Sequence, residues 1–278
     1  MIMKWSSYYI VLFFSIILSS CSDNAGDKET GTNTAAESAG NTPAIASVAK
    51  EKRSDIAAKG LKGKVKVLSE ATYFTDMVKR KLSSKTVFKY DKDGNRIELA
   101  NYRPDGKINS TVKSVYDANG NLTNEQTTLA DGKLDVNSTI KTDAKGNKIE
   151  QEDIRPGGDV LFNYKYQYHY DEKGQLIEHI AYRGNGSFLF KYDFKYDDKG
   201  NKTEWIQTSS DSTVVGRIVY KYDEKNNMIE QTEYGKDNKL KAAYTYSYEF
   251  DKKSNWIRQK KIQNGSVIEI REREISYH

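Results

Sequence analysis

The sequence predicts an all-β fold: one antiparallel meander of about sixteen strands, curled into a spiral shell or closed into a barrel. Three observations predict it. The phrase Tyr-Asp-x-x-Gly-Asn recurs, clearest at Tyr90-Asp91-Lys92-Asp93-Gly94-Asn95, Tyr116–Asn121 and Tyr196–Asn201. With weaker copies at Thr142, Tyr170, Tyr222 and Phe250, the starts step by 26, 26, 28, 26, 26 and 28 residues. Each unit holds a second turn about halfway, and aromatic and polar residues alternate between turns.

In chain order, residues 1–20 read as a leader. Lys4 supplies a positive start, and Tyr8 to Leu18 is an apolar run. The run is shorter than the roughly 20 apolar residues of a spanning helix and fits a secretory signal. Leu18-Ser19-Ser20-Cys21 resembles a bacterial lipobox, which makes Cys21 the expected lipidation site. Residues 21–60 hold this cysteine and a stretch rich in Ser, Ala, Gly, Thr and Asn. Such a stretch buries too little apolar surface to offset its ordering entropy. It reads as a tether with an r.m.s. span of roughly 30–40 Å. Ile56 to Leu61 offers at most a short turn of helix.

Residues 61–278 form the repeat domain. The second turns include Arg103-Pro104-Asp105-Gly106, Ala130-Asp131-Gly132, Gly184-Asn185-Gly186 and Asn264-Gly265. A unit is therefore two strands and two tight turns, with strands of about nine residues, or roughly 30 Å. Asp opens each Tyr-Asp turn and accepts from backbone two residues on. Gly94, Gly120 and Gly200 are expected at φ > 0, closing bulged hairpins. Units with Asn226 or Ser254 at that place are expected to hold looser turns. Tyr164, Tyr166, Tyr168 and Tyr170 share one strand face, with Asn163, Lys165, Gln167 and His169 opposite. Phe190, Tyr192, Phe194 and Tyr196 repeat the pattern. The return strands alternate less cleanly, so their inward face hangs on hairpin register. Propeller blades need about 40–50 residues, which excludes a seven-bladed propeller.

Tyr-Asp-x-x-Gly with a Tyr-x-Tyr strand before it resembles the RHS/YD-repeat family over residues 63–278. The motif is degraded at Thr142, Asn226 and Ser254. The resemblance implies antiparallel meanders curled into a hollow shell. Large family members enclose a C-terminal toxin, and no segment here has room for one. What remains is similar to small YD-repeat lipoproteins of bacterial envelopes, for which the resemblance supplies no activity.

Composition limits the chemistry. Basic residues number 44 and acidic ones 39, interspersed, for a formal charge of +5. That suits a solvated surface; nucleic-acid binding needs a concentrated basic stripe. Cys21 is the single cysteine, so the chain has no internal disulfide and no thiolate metal site. Asp91-Lys92-Asp93-Gly94 places Gly too early for a calcium loop, and Lys145, Lys173 and Lys199 fall on a ligand position. Glu98, Glu150, Glu178, Glu204 and Glu230 recur at one place in the unit. Such equivalent carboxylates suit cross-strand pairing with Lys or Arg; a hydrolase needs two in different environments. With Tyr170 facing Leu176, Gln167 faces His179, and His169 and His179 become diagonal neighbours on one face. No further zinc ligand accompanies them. No catalytic constellation, cofactor or metal site is predicted.

The tyrosine rows are the candidate site. Tyr164, Tyr166, Tyr168, Tyr192 and Tyr196 offer flat faces that either pack a core or stack on sugars. The expected function is a non-enzymatic scaffold or binding module, anchored by Cys21 in the bacterial envelope, by its sorting residues at the outer membrane. The partners are the membrane and either a glycan or an envelope protein. A transmembrane porin is disfavoured, because Asn163-Lys165-Gln167-His169 would have to turn inward.

Overall fold

The repeat closes on itself. The computed structural model describes residues 54–75 and 79–278. The leader, Cys21 and the tether up to residue 53 lie outside the described residues. The first strands are β1 (Val65–Thr75), β2 (Arg80–Tyr90), β3 (Arg96–Tyr102), β4 (Ile108–Tyr116) and β5 (Leu122–Leu129). Then follow β6 (Leu134–Thr142), β7 (Lys148–Ile154), β8 (Val160–Tyr170), β9 (Leu176–Arg183), β10 (Phe188–Tyr196) and β11 (Lys202–Ser209). The last are β12 (Val214–Tyr222), β13 (Met228–Gly235), β14 (Leu240–Phe250), β15 (Trp256–Gln263) and β16 (Ser266–Tyr277). Each pairs antiparallel with its chain neighbours, and β1 pairs with β16, closing a 16-strand barrel. Of the two expected forms, the barrel is the one realised.

The Tyr-Asp turns all lie at one end, the near end. Their motif has a local cause. The Asp91 N–H donates to the Asn95 carbonyl at 3.0 Å, and the Gly94 N–H to the Asp91 carbonyl at 3.2 Å. Asp91 Oδ1 accepts from the N–H groups of Asp93 and Asn95, and its Oδ2 accepts from Asn95 Nδ2 at 3.0 Å. The same carboxylate-to-amide lock joins Asp117 to Asn121, Asp143 to Asn147, Asp197 to Asn201 and Asp223 to Asn227. Asp and Asn thus satisfy a turn's polar groups between themselves. Gly94, Gly120 and Gly200 have φ of 84°, 73° and 82°, as expected. The expected loosening at Asn226 and Ser254 does not occur. They adopt φ of 63° and 60° and keep the same backbone bonds, because a short polar side chain tolerates this region.

The motif tyrosine has a second task. Tyr116 Oη donates to the Arg96 carbonyl at 2.9 Å, twenty residues back. Tyr196 reaches Leu176, and Tyr222 reaches Lys202, over the same interval. In the two 28-residue units the tyrosine two positions earlier does it: Tyr168 bonds Lys148 and Tyr248 bonds Met228. Two extra residues lengthen β8 and β14 to 11 each without changing which face points inward.

Residues 54–60, assigned by composition to the tether, are instead packed in the near mouth. Helix α1 (Asp55–Ala58) is capped by Ser54, whose Oγ accepts from the Ala57 N–H. Asp55 Oδ2 accepts from the Arg96 N–H at 2.7 Å and from Tyr116 Oη at 2.9 Å. Across the mouth, Asn255 exchanges two bonds with the Lys62 backbone, at 2.7 and 3.0 Å. Ile56 and Leu61 join Val65, Leu68, Phe88 and Tyr90 in a buried cluster. The anchoring is apolar contact that a 4-residue helix could not replace by itself.

Candidate functional site

Register decides what faces the lumen. Near each Tyr-Asp turn the ladder shifts by one residue: His169 pairs with Glu178, yet Tyr170 pairs with Leu176. The first residues after the turn form a bulge, so two residues oppose one. Beyond it Tyr168 faces His179. The expected His169–His179 neighbourhood is therefore wrong: His179 points inward and His169 outward, beside Glu178. A one-residue slip exchanges the faces. The bulge signal was the Tyr-Asp turn itself, carried one residue too short.

The outer face is a ladder of ion pairs. Lys89–Glu98, Lys141–Glu150, Lys195–Glu204 and Lys221–Glu230 close at 2.7, 2.6, 2.9 and 2.7 Å. This is the expected use of those carboxylates. Exposed pairs of this kind add little to stability; together they make the outer wall polar. On β8, Asn163, Lys165, Gln167 and His169 are exposed and the intervening tyrosines half-buried. A spanning barrel carries an apolar outer band roughly 25 Å tall. Here the wall is the reverse, polar outside and aromatic inside.

The inner face is only partly covered. Barrels of 16–18 strands leave a water-filled channel, whereas about eight let side chains fill the middle. Accordingly the inward tyrosines of β8 and β10 are half-buried, and a buried apolar cluster lies beside α1. Opposite α1, strands β8 to β11 form an aromatic wall. Tyr168 stacks on His179 at 4.8 Å and 6°. Tyr166, Phe190 and Tyr192 surround the same ring at 5.6–5.8 Å. Tyr192 meets Trp205 at 5.2 Å, and Phe162 stacks on Tyr164 at 5.5 Å. Four of the five expected tyrosines come together here. Tyr196 does not; it sits at the near end, its hydroxyl spent on the Leu176 carbonyl. Trp205 was missed, and His179 was singled out but placed on the outer face. Both lie three residues after the first residue of a return strand, a position that reads as inward only once the bulge is counted.

Burial tunes this wall. His179 is pushed down to about 4 by burial, so it is neutral at pH 7, and its Nε2 has no hydrogen-bond partner among the described residues. Burial drives the Tyr166 and Tyr168 phenols well above their ordinary value. Lys202 is lowered to about 8 by burial, its Nζ 4.1 Å from the Phe194 ring centre. The facing half of the lumen is charged instead. Arg273 binds Glu70 at 2.9 Å across the closing seam and lies over Trp256; Arg96 pairs with Glu125. No group of three His, Cys, Asp or Glu that could hold a metal ion occurs among the described residues.

No protein-family model matches the chain, and no curated protein matches it. Solved structures do. A porin-like protein from Bacteroides uniformis ATCC 8492 aligns with a TM-score of 0.53 at 10% identity, over 76% of this chain and 96% of that one. The likeness is one of fold. A porin-like protein from Bacteroides vulgatus ATCC 8482 aligns at 0.44 and 14%, over 75% and 97%. TcdB2-TccC3 without its hypervariable C-terminal region aligns at 0.31 and 17%, over 71% of this chain and 11% of that one.

Proposed function

We propose that the chain is a lipid-anchored envelope protein of the YD-repeat kind whose barrel stands in water and binds a glycan in its lumen. It acts by binding, not by catalysis. One observation carries the reading: the charged ladder is outside, and the half-open aromatic wall inside. Tyr164, Tyr166 and Tyr192 offer flat faces with polar rims, which suit sugar rings. Neutral His179, stacked on Tyr168, extends the aromatic surface without placing a charge in it. The anchor is Cys21, by its lipobox-like setting, and the acidic residues Asp23 and Asp27 favour the outer membrane.

Two measurements test this. Metabolic acyl labelling should mark the wild type and not Cys21→Ala, which should leave the membrane fraction. An unlabelled wild type, or a Cys21→Ala protein still bound, defeats the anchor. On an oligosaccharide array, Tyr166→Ala and Tyr192→Ala should lose a signal that the outward-facing Tyr182→Ala keeps. Each should also lower stability by roughly 2 kcal/mol, since half-buried rings contribute less than full burial. A wild type that binds no glycan, or inner variants that bind normally, would return the barrel to a plain scaffold.

A further inference from the structure

The second turns make the far end, and its outer edge differs from the wall below it. At the near end the first strand residue after each turn points inward, as Arg96, Lys202 and Met228 do. At the far end the corresponding residues are Ile108, Leu134, Val160, Phe188, Val214 and Leu240. Their pairing places them outside. Phe188 pairs with Tyr182, whose hydroxyl reaches outward-facing Gln167, and the two rings meet at 6.3 Å. Leu240 pairs with Tyr234, which carries Arg217 over its ring, and Arg217 belongs to the outer ladder through Glu204. Ile108, Leu134, Val160 and Val214 hold the equivalent register opposite Tyr102, Thr128, Ile154 and Thr208.

Five of these six are well exposed: Ile108 43%, Leu134 39%, Val160 55%, Val214 44% and Leu240 63%. Singly exposed apolar residues need no explanation. An arc of them at one height, one in each of six successive units and broken only by Arg80 and Ser266 at the seam, is a collar. Tyrosines Tyr102, Tyr182 and Tyr234 stand in the same belt. Beyond it the far turns bear Arg103, Lys107, Lys133, Arg155, Arg183 and Lys236. Asp105, Asp131, Asp159, Asp211 and Asp237 offset these in part, and the sum over the far turns stays positive. The near turns, each opened by an Asp, sum to negative.

We propose that this far rim docks on an anionic lipid surface. Aliphatic side chains enter the boundary between headgroups and acyl chains. Tyrosines take the amphipathic layer that such rings favour. The excess of basic side chains on the turns meets anionic headgroups. The ion-pair ladder below the collar limits the depth, so the barrel rests on the bilayer without crossing it. Charge complementarity favours this occupant over a second copy, since two far rims meeting face to face would oppose like charges.

Residues 22–278 contain the whole barrel and neither leader nor acyl site, so rim binding can be read separately from anchoring. This protein should float with phosphatidylcholine vesicles containing phosphatidylglycerol, at least tenfold better than with phosphatidylcholine alone. Binding should fall as salt is raised. Val160→Ser with Leu240→Ser should cut it about tenfold while leaving the thermal melt in place, because both sites are exposed. Arg155→Gln with Lys236→Gln should weaken binding to anionic vesicles only. No flotation on anionic vesicles would overturn the proposal. So would undiminished flotation of the serine variant, or a dimer in solution that this variant dissolves while no vesicle is bound.

Discussion

Arg273→Met should destabilise the barrel by about 3–5 kcal/mol, the usual cost of stranding one partner of a buried ion pair. Arg273 is 7% exposed at its side chain and Glu70 21%. Burial by itself would raise the Glu70 carboxyl; Arg273 and then Lys59 outweigh it and hold it below the ordinary value. Without Arg273 the carboxylate stays in the wall with Lys59 as its main cation. The pair joins β1 to β16, so the damage falls on the seam. A urea titration should show the midpoint drop, and hydrogen exchange should show β1 and β16 opening first. Replacing both partners, Glu70→Leu with Arg273→Met, should cost less than Arg273→Met by itself, because no charge is left unpaired. Equal losses in the single and double variants would show that Arg273 acts through its packing on Trp256.

Acidification should destabilise the fold through His179. Its folded value is about 4, against about 6.5 in an unfolded chain. Between those values the unfolded state binds a proton that the native state refuses. The stability is therefore whole above pH 6.5 and drains as pH falls toward 4. The effect is about 2 kcal/mol, discounted from the full shift because the ring is not fully buried. Melts across this window should show the fall in the wild type and a flatter profile in His179→Phe. Parallel profiles for the two proteins would mean that acid acts elsewhere, for instance on the outer carboxylates.

Much of the architecture was legible because the repeat is stated in turn residues. Asp91, Gly94 and Asn95 specify a turn by local bonds alone, and a local rule survives without knowledge of the tertiary structure. The alternation in β8 announced its face for the same reason. Legibility ended where one residue of register mattered. Ile97 and its equivalents Thr123, Ile149, Ile177, Thr203, Ile229 and Ile257 occupy the bulge; a β-branched residue also suits an ordinary strand position, and miscounting the bulge turned His179 outward. The packing of residues 54–60 escaped because Ile56 and Leu61 are two apolar residues in a polar stretch. Their partners Leu68 and Phe88 face each other across the β1–β2 hairpin, and no period marks the residues ahead of it as folding back onto that pair. The closure itself was not decidable from pattern, since the seam depends on β1 and β16 meeting across nearly the whole chain.

The clamp at the near mouth also has a mechanical meaning. Both the chain ahead of residue 54 and the last residue leave from this end, where the His278 N–H meets the Lys64 carbonyl at 2.9 Å. A load drawn through residue 54 reaches the Asp55 and Lys62 contacts before it reaches any strand. These contacts are few and yield one after another, as in peeling. Releasing residues 54–62 would pay out roughly 30 Å of extended chain before β1 bore tension along its length. There the whole β1–β16 ladder resists together, in shear. The segment is thus a shock absorber in series with the barrel, and stretching it would unstopper one mouth while the wall stayed shut.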